Sequence, residues 1–161
     1  MKKVGDYVVY RRDVSKIVNI KKNPLNNMDY YVLVPVTDES LKIDVPVENQ
    51  YIRELITIDE ITKLIKKIPS IPIIENNNKL IENDYKDLLK EGSYESLIRI
   101  IKTTYLRNKE RTDNKKKIGD KDDYYFKLAE EYLYTEFMIV LGKNFDETKD
   151  YIIHEVEKYS Q

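Results

Sequence analysis

The sequence predicts an α+β protein: a small antiparallel β-barrel followed by an all-helical domain of about five helices. Two observations predict it. The apolar period changes from two residues to about 3.6 near Thr57, and the strands all precede the helices with no βαβ alternation. The 161-residue length suits two small units better than several independent cores. The predicted boundaries are residues 1–56 and 57–161.

The β region opens at Val4-Gly5-Asp6, a turn signal leading into the alternating Tyr7-Val8-Val9-Tyr10. Ile17-Val18-Asn19-Ile20 reads as the next strand, and Asn23-Pro24-Leu25-Asn26-Asn27 has the residues of a hairpin tip. Tyr30 to Val36 is rich in β-branched and aromatic residues. Leu41, Ile43 and Val45 alternate with Lys42 and Asp44, the pattern of a half-buried strand.

Thr57 followed three residues later by Glu60 is a capping box, so a helix is predicted over Ile58 to Ile68, ending before Pro69. Pro69 to Asn78, with two prolines and three asparagines, reads as a loop. A second helix is predicted from Lys79 to Lys90, with Ile81, Tyr85 and Leu88 on one face and Gly92 as terminator. Ser93 is the predicted N-cap of a third, whose apolar face holds Leu97, Ile101, Thr104 and Tyr105 or Leu106. The longest helix starts at Asp120 or Lys121 and carries Phe126, Ala129, Leu133, Phe137, Val140 and Leu141 up to Gly142. Asp146 is the predicted cap of the last, which carries Ile152, Val156 and Tyr159.

Charge narrows the function classes. Lys and Arg number 28 against 29 Asp and Glu, so a uniformly polyanion-binding surface is not expected, and nucleic-acid contact requires a local patch. Such a patch exists in the sequence. Between Arg99 and Lys117 stand Arg99, Lys102, Arg107, Lys109, Arg111, Lys115, Lys116 and Lys117 against only Glu110 and Asp113, eight minus two or a net of +6. Residues 120–161 carry eleven acidic and five basic side chains, a net of −6. The basic run has two readings: a solvated helix face, or a phosphate-contacting surface that gains by releasing counterions from DNA.

Enzyme chemistry lacks its usual groups. There is no cysteine, His154 is the single histidine, and four glycines form no phosphate loop. Asp120, Asp122 and Asp123 look like the opening of a calcium loop, but the glycine and closing glutamate are not at the required spacing. A cluster capping a helix N-terminus explains them more simply. No run is long enough to span a bilayer and no signal-peptide core follows Met1, so a cytoplasmic, non-catalytic protein without cofactor, metal or small-molecule substrate is expected.

Lys3-Val4-Gly5-Asp6-Tyr7-Val8-Val9-Tyr10, Tyr30-Tyr31-Val32-Leu33, and Ile43-Asp44-Val45-Pro46-Val47-Glu48-Asn49 with Arg53 resemble, in order and spacing, the N-terminal module of the CarD family of bacterial transcription regulators. Gly92-Ser93 followed by Leu97 to Arg111, and Lys127 to Leu141, are similar to that family's later helices. The resemblance covers nearly the whole chain. It implies a Tudor-like module that docks on the β subunit of RNA polymerase, and a helical domain beside the upstream edge of the promoter bubble that stabilises the open complex. Where the family carries a minor-groove tryptophan wedge, this chain has Asn77 or Asn78 and no tryptophan. A basic family position falls at about Asp123, the family's Pro-x-His-Gly turn is replaced by Arg11-Arg12-Asp13-Val14, and a polymerase-contacting arginine is replaced by Asp44.

The expected polymerase-binding residues are Arg11, Arg12, Lys21, Lys22, Tyr31, Leu33, Lys42 and Asp44, on a sheet edge near Tyr30 to Val36 and the Lys42/Asp44 strand face. An unpaired edge can extend a partner's sheet. The expected contacts to promoter DNA, independent of base sequence, are Asn77, Asn78, Arg107, Lys109, Arg111, Lys115, Lys116 and Lys117. Two alternatives stand beside this reading: a polymerase-binding adaptor without DNA contact, and an RNA-binding accessory protein.

Overall fold

A computed structural model of the chain describes residues 2–159. The chain divides into two compact units, Met1–Ile56 and Thr57–Gln161.

The first unit is a five-stranded sheet: β1 (Tyr7–Tyr10), β2 (Asp13–Asn23), β3 (Met28–Pro35), β4 (Ile43–Pro46) and β5 (Ile52–Arg53). Every pairing is antiparallel, in the order β4-β3-β2-β1-β5. The sheet is open, not a closed barrel, because β4 and β5 are its two borders. Gly5, at φ +97°, takes a conformation that a side chain would strain. There its amide donates to the Ile17 carbonyl at 2.8 Å, and the Ile17 amide donates to the Asp6 carbonyl at 2.8 Å.

Val8, Ile17, Tyr31, Leu33 and Val45 form the core of this unit, with Tyr10, Ile20, Ile43, Val47 and Ile52 packed against it. Ile17 and Ile20 are three apart, which an unbroken strand would place on opposite faces. A register shift between Ile17 and Asn19 inserts one residue, turns Val18 outward and returns Ile20 to the core. The hairpin tip takes the form its asparagines prescribe: Asn23 and Asn26 side chains accept from the Leu25 and Met28 amides, and Asn27 adopts φ +53°. Leu41 lies outside β4 and is exposed.

The second unit contains α1 (Ile58–Lys67), a 3₁₀ turn at Ile68–Ser70, α2 (Ile81–Glu91), α3 (Tyr94–Asp113), α4 (Asp120–Leu141) and α5 (Phe145–Tyr159). Thr57 and Glu60 complete both halves of the capping box. Gly92 ends α2 at φ +70°, and Ser93 caps α3 through the Ser96 amide. Before α5 the cap is Asn144, not Asp146: its side chain accepts from the Glu147 amide at 2.8 Å, and Glu147 reaches back to the Asn144 amide at 3.0 Å.

The buried face of α3 differs from expectation. Leu97, Ile98, Ile100, Thr103 and Thr104 are buried, Ile101 is half-buried, and Tyr105 and Leu106 are exposed. The reason is polar. Thr103 sits against the 71–74 segment and its hydroxyl oxygen accepts the Ile74 amide at 2.8 Å, so a hydroxyl occupies an inward position that an apolar count passes over. On α4 the inward row is Tyr125, Ala129, Leu133 and Phe137, while Phe126, Val140 and Leu141 are half-buried.

Candidate nucleic-acid interface

A buried carboxylate joins α2, α3 and α4. Asp122, in the first turn of α4, is 1% exposed. Its Oδ1 accepts from the Tyr85 hydroxyl of α2 at 2.7 Å. Its Oδ2 accepts from Arg107 Nε at 2.9 Å and Arg111 Nη1 at 2.7 Å, both from α3. Three helices thus meet on one side chain. Burial pushes the Asp122 carboxyl up, but the bonds from Tyr85, Arg111 and Arg107 outweigh it and hold it below the ordinary carboxylate value. Burial, reinforced by Asp122, raises the Tyr85 phenol.

A second layer fixes the arginines. Arg111 Nη1 also donates to Asn108 Oδ1 at 2.6 Å, and that oxygen accepts the Gly119 amide at 2.9 Å. Arg107 Nη2 donates to Asn78 Oδ1 at 2.6 Å. Lys121 donates to the Asn78 carbonyl at 3.3 Å and pairs with Glu82 at 3.7 Å. Glu82 accepts from the Tyr125 hydroxyl, whose pKa burial and this carboxylate push up to about 12.

Gly119 is where the loop meets this network. A Cβ there would overlap Arg111 Nη1, an atom already held by two acceptors. Gly119→Ala is therefore expected to displace Arg111 from Asp122 and cost about 1–3 kcal/mol. Chemical denaturation of the two chains measures this, and an unchanged midpoint would show that the guanidinium yields without loss.

Most of the basic run is engaged within the unit. Arg99 donates to the Pro72 carbonyl at 3.2 Å, and Lys102 Nζ to the carbonyls of Ile68 and Ile71 at 2.8 and 2.6 Å. Burial lowers the Lys102 pKa. Arg107 and Arg111 hold Asp122, and Lys109 lies 3.8 Å from Asp113 one turn on. Lys115, Lys116 and Lys117 remain as exposed cations on the α3–α4 connector. Within the basic run the partly buried guanidinium and ammonium groups are thus paired inside the unit, as charges near a low-dielectric interior require.

Asn77 and Asn78 also have structural partners. Asn77 Oδ1 accepts the amides of Lys79 and Leu80, each at 3.0 Å, which starts the turn into α2. Asn78 orients Arg107. Asp122 itself, read from sequence as one of three capping acids, is instead the centre of the network. The signal that could have found it is the Arg107/Arg111 pair, four apart on one helix face and requiring a common acceptor.

Beside this network Asn78, Arg107, Glu110, Arg111, Asn114 and Lys116 line an open, polar cleft of about 190 Å³. A second hollow, of about 280 Å³, lies between α3 and the start of α4 and includes Tyr105, Ile118 and Phe126.

In the N-terminal unit the expected docking residues separate into two sets. Tyr31 and Leu33 are core residues at 4% and 0% exposure, so their side chains offer nothing to a partner. The predicted edge at Tyr30 to Val36 is corrected too: β3 pairs with β2 on one side and, from Tyr30 to Leu33, with β4 on the other. The border strand is β4. Arg11, Arg12, Lys21, Lys22, Lys42 and Asp44 are exposed. Lys21 reaches across β3 to Asp44 at 3.3 Å. Arg11 turns the β1–β2 hairpin at φ +58°, with its guanidinium 4.6 Å from the Tyr51 ring centroid and 5.6 Å from that of Tyr10.

Among the described residues no group of His, Cys, Asp and Glu is arranged to hold a metal ion, and no helix is long and apolar enough to cross a membrane. No protein-family model matches the chain, and no curated protein matches it significantly.

Proposed function

We propose that the chain is a non-catalytic transcription regulator. Its N-terminal unit, read as a Tudor-like module, binds the β subunit of bacterial RNA polymerase, and its helical unit modulates open-complex lifetime through sequence-independent promoter DNA contacts. The observation that carries this reading is β4. It is a border strand, and it falls within Ile43 to Asn49, one of the stretches whose order and spacing resemble the CarD family's N-terminal module. A border strand has one row of backbone groups able to extend a partner's sheet. Pro46, which lacks an amide, is typical of such a strand.

The DNA part of the reading rests on Lys115, Lys116 and Lys117. A second reading, an adaptor without DNA contact, is favoured by one specific observation: Asp122 and Asn78 take Arg107 Nε and Nη2 and Arg111 Nη1, which leaves these side chains fewer donors for a DNA backbone.

The test is capture of the folded chain by an isolated β-subunit lobe. Binding is expected, and Asp44→Arg, which restores the family's charge at an exposed position, is expected to tighten it several-fold. A folded chain that does not bind defeats the regulator and the adaptor together. Binding to a forked promoter duplex then separates them. Each lost phosphate contact reduces the slope of log K against log salt by about 0.9, so Lys115→Ala/Lys116→Ala/Lys117→Ala flattens it for the regulator and leaves it unchanged for the adaptor.

A further inference from the structure

We propose that the cleft between the α3 C-terminus and Asn78 is a binding site for a compact phosphate ester that carries hydroxyl groups, of the sugar-phosphate or nucleotide class. The phosphate half follows from the donors. Arg107 commits Nε to Asp122 and Nη2 to Asn78, and Arg111 commits Nη1 to Asp122 and Asn108. Arg107 Nη1 and Arg111 Nε and Nη2 keep their N–H groups without a protein acceptor among the described residues, and both arginines line the cleft. The buried carboxylate holds the two guanidiniums in place before any ligand arrives, so little side-chain entropy remains to be lost on binding. Lys116 completes the cationic side. Lys115, at φ +59°, reverses the chain, and the Lys116 amide donates to the Arg111 carbonyl at 2.8 Å, which folds the connector back onto the cleft.

The hydroxyl half follows from the acceptors. Glu110 and Asn114 line the same cleft. A carboxylate beside a bound phosphate repels it unless it accepts a hydrogen bond from the group that carries the phosphate, as acidic residues do from ribose hydroxyls. A DNA backbone has no 2′-hydroxyl to offer, and Glu110 opposes its phosphates. At about 190 Å³ the cleft matches a phosphate with part of a pentose and falls below the roughly 300 Å³ lower end of sites for drug-sized ligands.

The test titrates the full chain with inorganic phosphate, ribose 5-phosphate and a short DNA duplex, followed by amide NMR shifts and calorimetry. Ribose 5-phosphate is expected to shift Asn78, Glu110, Asn114 and Lys116 and to bind at least tenfold more tightly than inorganic phosphate. Lys116→Ala, at an exposed position, weakens it about tenfold. Glu110→Gln strengthens inorganic phosphate while shrinking the tenfold preference for the ester. A merely structural role for Glu110 moves neither ligand. The proposal is overturned if no ligand shifts these amides at millimolar concentration, if the two phosphates bind alike in both proteins, or if the duplex displaces ribose 5-phosphate by occupying the cleft. None of these outcomes depends on polymerase binding; the duplex arm is shared with the DNA half of the regulator reading through Lys116, so capture by the β-subunit lobe is the measurement on which that reading fails separately.

Discussion

Asp122→Ala is expected to destabilise the helical unit by about 3–5 kcal/mol, the range for removing one partner of a buried ion pair. The substitution leaves the Tyr85 hydroxyl, on a side chain with no exposure, without its acceptor, and leaves two guanidiniums facing each other without the charge between them. The arginine side chains are 23% and 28% exposed, so water relieves part of their penalty. Tyr85→Phe, which removes only one hydrogen bond and leaves the carboxylate paired, is expected to cost about 1–2 kcal/mol. Urea unfolding of the two variants tests the ranking. An Asp122→Ala midpoint equal to that of Tyr85→Phe would show that the ion pairs contribute nothing net.

Acid separates the same terms. Because the folded-state pKa of Asp122 lies below its unfolded value of about 3.9, the unfolded chain takes up the proton first as pH falls. The contribution is complete above the unfolded pKa and disappears as pH passes down through the lowered folded one. The stability gap between the natural chain and Asp122→Ala should therefore be flat from pH 8 to about pH 5 and close only below about pH 4. A gap that closes near neutrality would point to a different titrating group.

The elements of this fold were legible because their signals are local. A capping box, a Gly after a helix, an Asn-rich hairpin and a change of apolar period each act over a few residues, and Thr57/Glu60, Gly92 and Asn23 to Asn27 act as they read. Partners distant in sequence were not legible. Asp122 and Tyr85 are 37 residues apart, and Lys102 and Ile68 are 34 apart. Charge counting treats an arginine bound to a buried carboxylate and a lysine on a loop as equals. The Arg99 to Lys117 run therefore overstated the exposed cation by including residues that hold the unit together. The sheet edge expected at Tyr30 to Val36 failed for a similar reason. The β-branched and aromatic residues of Tyr30 to Val36 establish a strand, but only pairing decides that β3 is interior and β4 is the border.

That distinction has its largest consequence at Leu33. Were its side chain a docking contact, Leu33→Ala would weaken partner binding and leave folding intact. In the sheet, Leu33 has no exposure and shares a core of five buried side chains with Val8, Ile17, Tyr31 and Val45. A unit this small has few other apolar contacts with which to close the space. Truncation to alanine is expected to cost about 2–5 kcal/mol, a large part of the stability a domain of this size holds. The expected result is loss of the β-unit's slow-exchanging amides while those of the helical unit persist. Binding to the β-subunit lobe should fall with the fraction of folded N-terminal unit and recover under conditions that refold it, such as a stabilising osmolyte. Asp44→Arg should change affinity with the amides of β1 to β4 still protected. If Leu33→Ala instead keeps full protection and loses binding, Leu33 is a contact residue and the core assignment fails. The two substitutions sit on adjacent strands, with Leu33 paired opposite Ile43, the residue before Asp44. They differ in which face of the sheet they change, and that difference in face is what makes one a test of folding and the other a test of docking.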